Sequence, residues 1–177
     1  QYKSRDRIST DIFSEKTVKL DEWLYGKEFM GMEKLSPMQY EAVRVGVCIY
    51  REKERELLGE QDVQRVDELV LQWGKGSGKD WISAIVMTTV AYRLLCLKSP
   101  QEYYRQSKVS HIDLLNMAYS GFQADQNFFA YFQRMIETNS WFLGKYRFLL
   151  SNAMVVFEKN IRAFSGNSYE ESFEGKN

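Results

Sequence analysis

The sequence has 177 residues, of which 44% are hydrophobic and 27% are charged. This length is typical of one domain with a small appendage, and the composition predicts a folded core instead of a disordered chain. Lysine and arginine together number 24, and so do aspartate and glutamate. Balanced charge argues against a protein that coats nucleic acid through bulk positive charge. No apolar run is long enough to cross a bilayer, so we expect no membrane partner.

The first third of the chain predicts an irregular arm followed by helices. Residues 1–33 are polar at first and then show a short apolar pattern over Leu20–Met30, so we interpret them as an N-terminal arm and a lead-in helix. Ser36 and Pro37 then open a helix whose apolar spacing continues to about Glu56. Serine is a favourable N-cap, and proline at the first helical position has its φ preset.

A glycine-rich stretch at residues 74–80 lies between an apolar run at 69–71 and a long apolar segment that begins at Trp81. We predict a strand, a turn and a helix in this order, which is the context that a phosphate-binding loop needs. Glycines allow backbone N–H groups to turn inward, and the dipole of the following helix favours an anion at its N-terminus. The sequence therefore predicts a nucleoside-triphosphate site, and we take ATP as the nucleotide.

The loop departs from the usual G-x-x-x-x-G-K-[ST] pattern. When it is aligned on Gly78 and Lys79, the first glycine position holds Trp73 and the last position holds Asp80. A hydroxyl at that last position normally binds magnesium; a carboxylate also binds it but adds negative charge beside the phosphates. We predict ATP and Mg²⁺ as cofactors, Asp80 as the metal ligand, and a nucleotide site made of Gln39, Gly74, Lys75, Gly76, Ser77, Gly78, Lys79 and Asp80. The alternative is a glycine-rich turn without a ligand.

Gln39 allows two interpretations. Because it lies three residues after Ser36, its amide can bond back to the N–H of the N-cap and complete a capping box. The same amide can donate and accept at once, which matches the N6/N7 edge of adenine. The local sequence favours the cap, and the two roles exclude each other only if the amide has a single partner.

The rest of the chain alternates predicted helices and strands. We predict a buried helix over Asp80–Lys98, a second buried strand over Ile112–Tyr119, an amphipathic helix over Gln123–Glu137, and two short strands, Met154–Phe157 and Ile161–Phe164, joined by a turn at 158–160. Cys48 and Cys96 fall in helical patterns, and we expect no disulfide. This order predicts an α/β layered fold with a mostly parallel central sheet and flanking helices.

Several stretches resemble the N-terminal ATPase domain of the large terminase subunit of tailed bacteriophages. The resemblance lies in Leu35–Gln39 as an adenine motif, in 74–79 as a deviant phosphate loop, in Asn116–Tyr119 followed by Gln123 and Gln126, and in 161–177 as the lead into an acidic strand. It covers about residues 34–177 and implies the front part of an ASCE-type P-loop NTPase, ending before the acidic (Walker B) strand. It also moves the interpretation of Gln39 towards an adenine or dual role.

The resemblance implies a motor that hydrolyses ATP to move double-stranded DNA into a capsid. It implies a homo-oligomeric ring with portal and small terminase subunit as partners, in the host cytoplasm at the procapsid, and a C-terminal nuclease in full-length family members. Lys79 would neutralise the β- and γ-phosphate oxygens, and Lys75 would act as a sensor or charge stabiliser. An arginine supplied in trans would come from Arg105, Arg134, Arg147 or Arg162.

The Asp-Glu pair that the terminase family carries at the end of its acidic strand is absent from this sequence. Asp67-Glu68 precedes its predicted strand, Asp21-Glu22 lies outside the predicted sheet, and Glu170-Glu171 lies in a polar stretch. We therefore expect this chain alone to bind ATP weakly and to hydrolyse it negligibly. Three alternatives stay open, namely a helicase-like or other DNA-translocating P-loop ATPase, a small-molecule kinase, and a non-catalytic assembly module.

Overall fold

The computed structural model describes residues 12–15, 17–118, 128–151 and 153–167. Five helices precede the first described strand, so the described elements do not alternate between helix and strand as the sequence predicts. In chain order the elements are α1 (Leu20–Tyr25), α2 (Pro37–Gly46), α3 (Glu52–Leu58), α4 (Lys79–Cys96), α5 (Pro100–Tyr103), β1 (Ile112–Ala118), α6 (Ala130–Thr138), α7 (Ser140–Lys145), β2 (Phe148–Ser151), β3 (Met154–Phe157) and β4 (Ile161–Asn167). None of the described helices is both long and apolar enough to cross a membrane.

The single helix predicted from Ser36 to about Glu56 is wrong, because the chain forms two helices there. The first, α2, ends at Gly46, where an added Cβ would lie 3.1 Å from two methyl carbons of Val86. The bare glycine thus allows α2 to approach α4 closely. The second helix, α3, ends before Gly59, whose φ of 71° lies in the left-handed region that glycine tolerates.

Helix α4 is the centre of the core, and its prediction as a buried helix is confirmed. Trp23 of α1 stacks on Tyr92 of α4 with ring centroids 3.8 Å apart, and Trp141 of α7 meets Tyr92 edge-on at 4.7 Å. The indole N–H of Trp23 donates to the hydroxyl of Thr89 at 2.9 Å. Helix α1 ends at Tyr25, earlier than predicted. The aromatic contacts of Trp23 nevertheless hold α1 against α4.

A buried ion pair lies near the C-terminal end of α4. The side chain of Arg93 is 1% exposed, and that of its partner Glu60, in the loop after α3, is 8% exposed. Arg93 Nη1 donates to Glu60 Oε2 at 2.9 Å and to the carbonyl of Val47 at 2.7 Å. Because a buried charge without a partner is costly, this pair fixes both connecting loops against α4.

The four strands form a mixed sheet in the order β1-β4-β3-β2. Strands β1 and β4 are parallel, whereas β3 is antiparallel to both β4 and β2. The described strands therefore do not form the mostly parallel sheet that was predicted. The reason is the β2–β3–β4 meander, whose predicted β3–β4 turn is confirmed. In that turn Lys159 and Asn160 both adopt left-handed φ values, 60° and 54°.

The two faces of the sheet differ in burial. The inner face, which includes Val155 and Phe157, is buried beneath the helices. On the outer face, Leu115 and Met117 of β1 are 48% and 53% exposed. The strand predicted as buried is therefore only half-buried on one face and exposed on the other.

Both cysteines are buried free thiols, Cys48 near α2 and Cys96 at the end of α4. Burial raises the pKa of the Cys96 thiol to about 11. A thiol that stays protonated at neutral pH is a poor nucleophile, so Cys96 is a core residue.

Candidate nucleotide-binding site

The apolar run before the loop is not a strand, which corrects the prediction for residues 69–71. Val70 is 64% exposed, and no described strand pairs with this run. A strand needs a neighbour to satisfy its backbone groups, and here the nearest strand, β1, lies across a cavity of about 650 Å³. Leu69 and Leu71 line one part of that cavity, and Leu114 of β1 lines another.

The loop itself has the backbone conformation that its glycines allow. Gly76 and Gly78 have φ values of 79° and 80°, which side-chain-bearing residues rarely adopt. The N–H of Ser77 donates to the carbonyl of Gly74 at 3.3 Å and closes the turn. Gly78 is the N-cap of α4, and no side chain caps this end of the helix. The first N–H groups of an 18-residue helix therefore face the loop without a capping acceptor.

Lys79 folds back over the loop. Its ammonium donates to the carbonyl of Trp73 at 2.8 Å and to that of Gly74 at 3.0 Å. An ammonium has three donors, so one N–H remains for a further acceptor. The lysine is thus held against the loop by two hydrogen bonds to backbone carbonyls.

The Ser77 hydroxyl is buried and has no hydrogen-bond partner among the residues that the structure describes. A buried polar group without a partner costs about 1–3 kcal/mol, so its retention calls for an explanation. A phosphate oxygen bound in the loop would supply the acceptor that the hydroxyl lacks. Open space around Gly74 and Gly76, where an added Cβ would meet nothing within 4 Å, leaves room for such a group. The residues present therefore fit a nucleotide phosphate.

The capping interpretation of Gln39 is confirmed. Its Oε1 accepts from the N–H of Ser36 at 3.1 Å, while the Ser36 hydroxyl accepts from the N–H of Gln39 at 3.4 Å. The other end of the amide is used as well, since Nε2 donates to the carbonyl of Ser77 at 3.5 Å. Gln39 therefore connects the start of α2 to the loop. The amide oxygen can accept one more hydrogen bond and the amide nitrogen can donate one more, so capping does not prevent a second role.

The structure brings half of the eight residues predicted for the site around one cavity. Gln39, Gly74 and Ser77 line one cavity of about 380 Å³, and Lys79 contacts its rim through Gly74. Lys75 and Asp80 are exposed, and Asp80 lies in the first turn of α4, where the helix dipole stabilises a carboxylate. In the described part of the chain, no three His, Cys, Asp or Glu side chains form a metal-binding group.

Three residues that line this cavity, Ser36, Met38 and Trp73, were not among the predicted site residues. Ser36 and Met38 belong to the stretch that resembles an adenine motif, whereas Trp73 was interpreted only as a departure from the glycine pattern. A large aromatic residue at a position where the pattern has glycine was the available signal. Other predicted features, namely Tyr119, Gln123, Gln126 and the stretch 168–177, lie outside the described residues.

A glycine-rich turn with left-handed glycines, followed by a long uncapped helix that begins with lysine, defines a P-loop domain. The family comparison agrees with this class. Residues 1–177 match the family described as uncharacterized protein MJ0330, N-terminal P-loop domain, and the chain belongs to this family. No curated protein and no solved structure matches the chain. The chain is thus a mixed α/β P-loop domain of the kind that binds nucleotides, and the family match does not extend to terminases.

Proposed function

We propose that this chain binds ATP with Mg²⁺ in loop 74–80 and takes part in its hydrolysis. The observation that carries the proposal is the set of unused donors around the loop. These are the N–H groups at the uncapped start of α4, the remaining proton of Lys79 and the buried Ser77 hydroxyl. All of them need acceptors, and phosphate oxygens are acceptors. Membership in a P-loop family supports the same proposal.

Lys79 is the main positioning group for the phosphates in this proposal. Its contacts with the carbonyls of Trp73 and Gly74 are with neutral acceptors, so a triphosphate competes for the ammonium with full negative charge. Catalysis of phosphoryl transfer is mostly positioning and charge stabilisation, which a lysine aimed at the β- and γ-phosphates provides. Lys75, exposed on the same loop, is proposed as a second charge stabiliser.

Asp80 is the proposed protein contribution to the magnesium shell. When bound, Mg²⁺ neutralises charge on the β- and γ-phosphates. The carboxylate of Asp80 lies in the first turn of α4, directly after the phosphate-binding lysine. An oxygen ligand at this place suits a hard cation.

Gln39 is the proposed reader of the adenine edge. The amide retains one donor and one acceptor after its contacts with Ser36 and Ser77 are counted. This pair matches the N6/N7 edge of adenine, so the capping and adenine roles are compatible.

Within this class we propose that the chain is the ATPase domain of a DNA-packaging terminase. The support is the order of Leu35–Gln39 and loop 74–79, with basic Lys75 after the first glycine. The proposed partners are double-stranded DNA, further copies of the chain in a ring, a portal and a small terminase subunit. The proposed place of action is the procapsid in the host cytoplasm.

A trans-acting arginine would raise the rate about a thousandfold or more. Among the four arginines considered, Arg162 is held by two 2.8 Å hydrogen bonds to the Asp113 carboxylate. We therefore favour the exposed Arg105, Arg134 and Arg147.

Hydrolysis also requires carboxylates that hold the metal and orient water. The terminase resemblance assigns them to an acidic strand, and no described strand ends in an Asp-Glu pair. Among the described strands, β1 pairs only with β4, and the cavity of about 650 Å³ lies between β1 and residues 69–71. We propose that this open edge of β1 accepts an acidic strand. We expect the 177-residue chain alone to release phosphate negligibly, and a phosphate-release assay measures this.

Lys79→Ala tests the nucleotide site directly. We expect calorimetry to show ATP binding to the unchanged chain and a loss of about a hundredfold in affinity or more in the variant, because the phosphates lose a full charge. Lys98→Ala, at an exposed residue beyond the far end of α4, is the matched control. Equal ATP affinity in the unchanged chain and the Lys79 variant would count decisively against the site.

A further inference from the structure

The cavity beside the loop has two apolar side chains that the phosphate-binding role does not use. Trp73 and Met38 line it together with Ser36, Gln39, Gly74 and Ser77. Met38 is 65% exposed, although it is a large apolar residue, and Trp73 is half-buried. Phosphates bind through backbone N–H groups and lysine, so an indole ring and a thioether at this place need a different ligand group.

We propose that Trp73 is the platform on which the nucleotide base stacks, with Met38 as an apolar contact beside it. This inference rests on the proposed nucleotide function and names the residue that binds the base. The cavity volume of about 380 Å³ is sufficient for a base, and it opens onto the loop through Gly74 and Ser77. A nucleotide with its phosphates at the start of α4 therefore has its base within reach of the indole ring.

The position of Trp73 is fixed by its surroundings. Its side chain packs against the hydrophobic core, and its carbonyl accepts a hydrogen bond from Lys79 at 2.8 Å. A ring that is already ordered loses little conformational entropy when a base stacks on it. Methionine adapts its shape to an irregular flat ligand, and its sulfur makes favourable contacts with aromatic rings.

Stacking and hydrogen bonding divide the recognition of the base between two residues. Every base has a π-face, so Trp73 contributes affinity with little preference among bases. Gln39 has only one donor and one acceptor left, and these distinguish adenine from guanine. The affinity for the base therefore depends on Trp73, and the discrimination between adenine and guanine depends on Gln39.

The test compares ATP with inorganic tripolyphosphate, which has the phosphates but no base. Both ligands are titrated by calorimetry into the unchanged chain, Trp73→Ala and Trp73→Phe. We expect Trp73→Ala to weaken ATP binding about tenfold or more and to leave tripolyphosphate binding unchanged, while Trp73→Phe keeps most of the ATP affinity. Trp81→Ala is the matched control, because Trp81 is half-buried on α4 and does not line this cavity. Thermal melts verify that each variant is folded.

Two results overturn the stacking proposal while the nucleotide site stands. One is unchanged ATP affinity in Trp73→Ala, which would make Trp73 a packing residue only. The other is an equal loss of affinity for ATP and tripolyphosphate, which would mean that Trp73 acts through the loop conformation. If the unchanged chain binds neither ligand, the proposed nucleotide function fails and the stacking role fails with it.

Discussion

The two ends of α4 are built for different purposes. At the C-terminal end, Tyr92 and Arg93 are fully buried, one in an aromatic stack and the other in an ion pair. At the N-terminal end, Gly78 leaves the helix uncapped, Lys79 donates to two loop carbonyls, and Asp80 is exposed. Helix α4 thus connects a region whose polar groups have partners within the protein to a region whose hydrogen-bond donors can bind a ligand. Substitutions at the first end should change stability, and substitutions at the second should change binding.

The largest effect is expected at the buried end. Arg93→Leu leaves Glu60 as a buried charge without its partner, and the carbonyl of Val47 loses a donor. We expect a loss of about 3–5 kcal/mol in the free energy of unfolding, measured by denaturant titration. ATP affinity of the folded fraction should not change, because Arg93 lies in the last turn of α4, at the opposite end from the loop.

The double variant Arg93→Leu with Glu60→Leu is the control for this prediction. Replacing both charges removes the unpaired carboxylate, so we expect the double variant to be more stable than Arg93→Leu alone. If the two variants are equally unstable, lost packing instead of an unpaired charge explains the effect.

The comparison of the two ends also explains which features the sequence could predict. The burial of α4, the capping box at Ser36 and the turn at 158–160 depend on local spacing and local hydrogen bonds, and all three were predicted correctly. The helix end at Gly46 had a local signal in the glycine itself, but the close approach of Gly46 to Val86, 40 positions along the chain, had none. Strand pairing is also non-local, so both the strand at 69–71 and the mostly parallel sheet were predicted incorrectly.

In the candidate site, too, local features could be predicted and contacts between separate segments could not. The loop glycines and Lys79 could be predicted, because a phosphate-binding loop is a contiguous motif. The hydrogen bond from Gln39 to the carbonyl of Ser77 and the cavity shared by Met38 and Trp73 could not, because they join two separate segments.

A smaller effect is expected at Gln39, which belongs to both the helix cap and the loop. Gln39→Ala removes the acceptor for the Ser36 N–H and the donor to the Ser77 carbonyl. We expect a loss of about 1 kcal/mol in stability, seen as a lower melting temperature, and a reduced preference for ATP over GTP. Phosphate binding, measured with tripolyphosphate, should change less than this base preference.

Gln39→Glu separates the two roles of the residue. Glutamate keeps the capping acceptor but lacks the amide donor, so the melting temperature should stay near that of the unchanged chain. The preference for ATP should still fall, because the adenine edge loses its donor. If Gln39→Glu restores both stability and base preference, Gln39 acts as a cap only.

The smallest effect is expected at Asp80, where two contributions oppose each other. Asp80→Ser removes a negative charge beside the phosphates and restores the hydroxyl that usually binds magnesium in such loops. Because Asp80 is exposed, its charge is screened and should change affinity by only about fivefold or less. We expect Mg-ATP binding equal to or tighter than that of the unchanged chain, and the measurement is nucleotide titration with and without magnesium. Asp80→Asn, which removes the charge without supplying a hydroxyl, shows which of the two contributions dominates. Weaker binding in Asp80→Ser only when magnesium is present would show that a serine hydroxyl cannot replace the Asp80 carboxylate as the magnesium ligand.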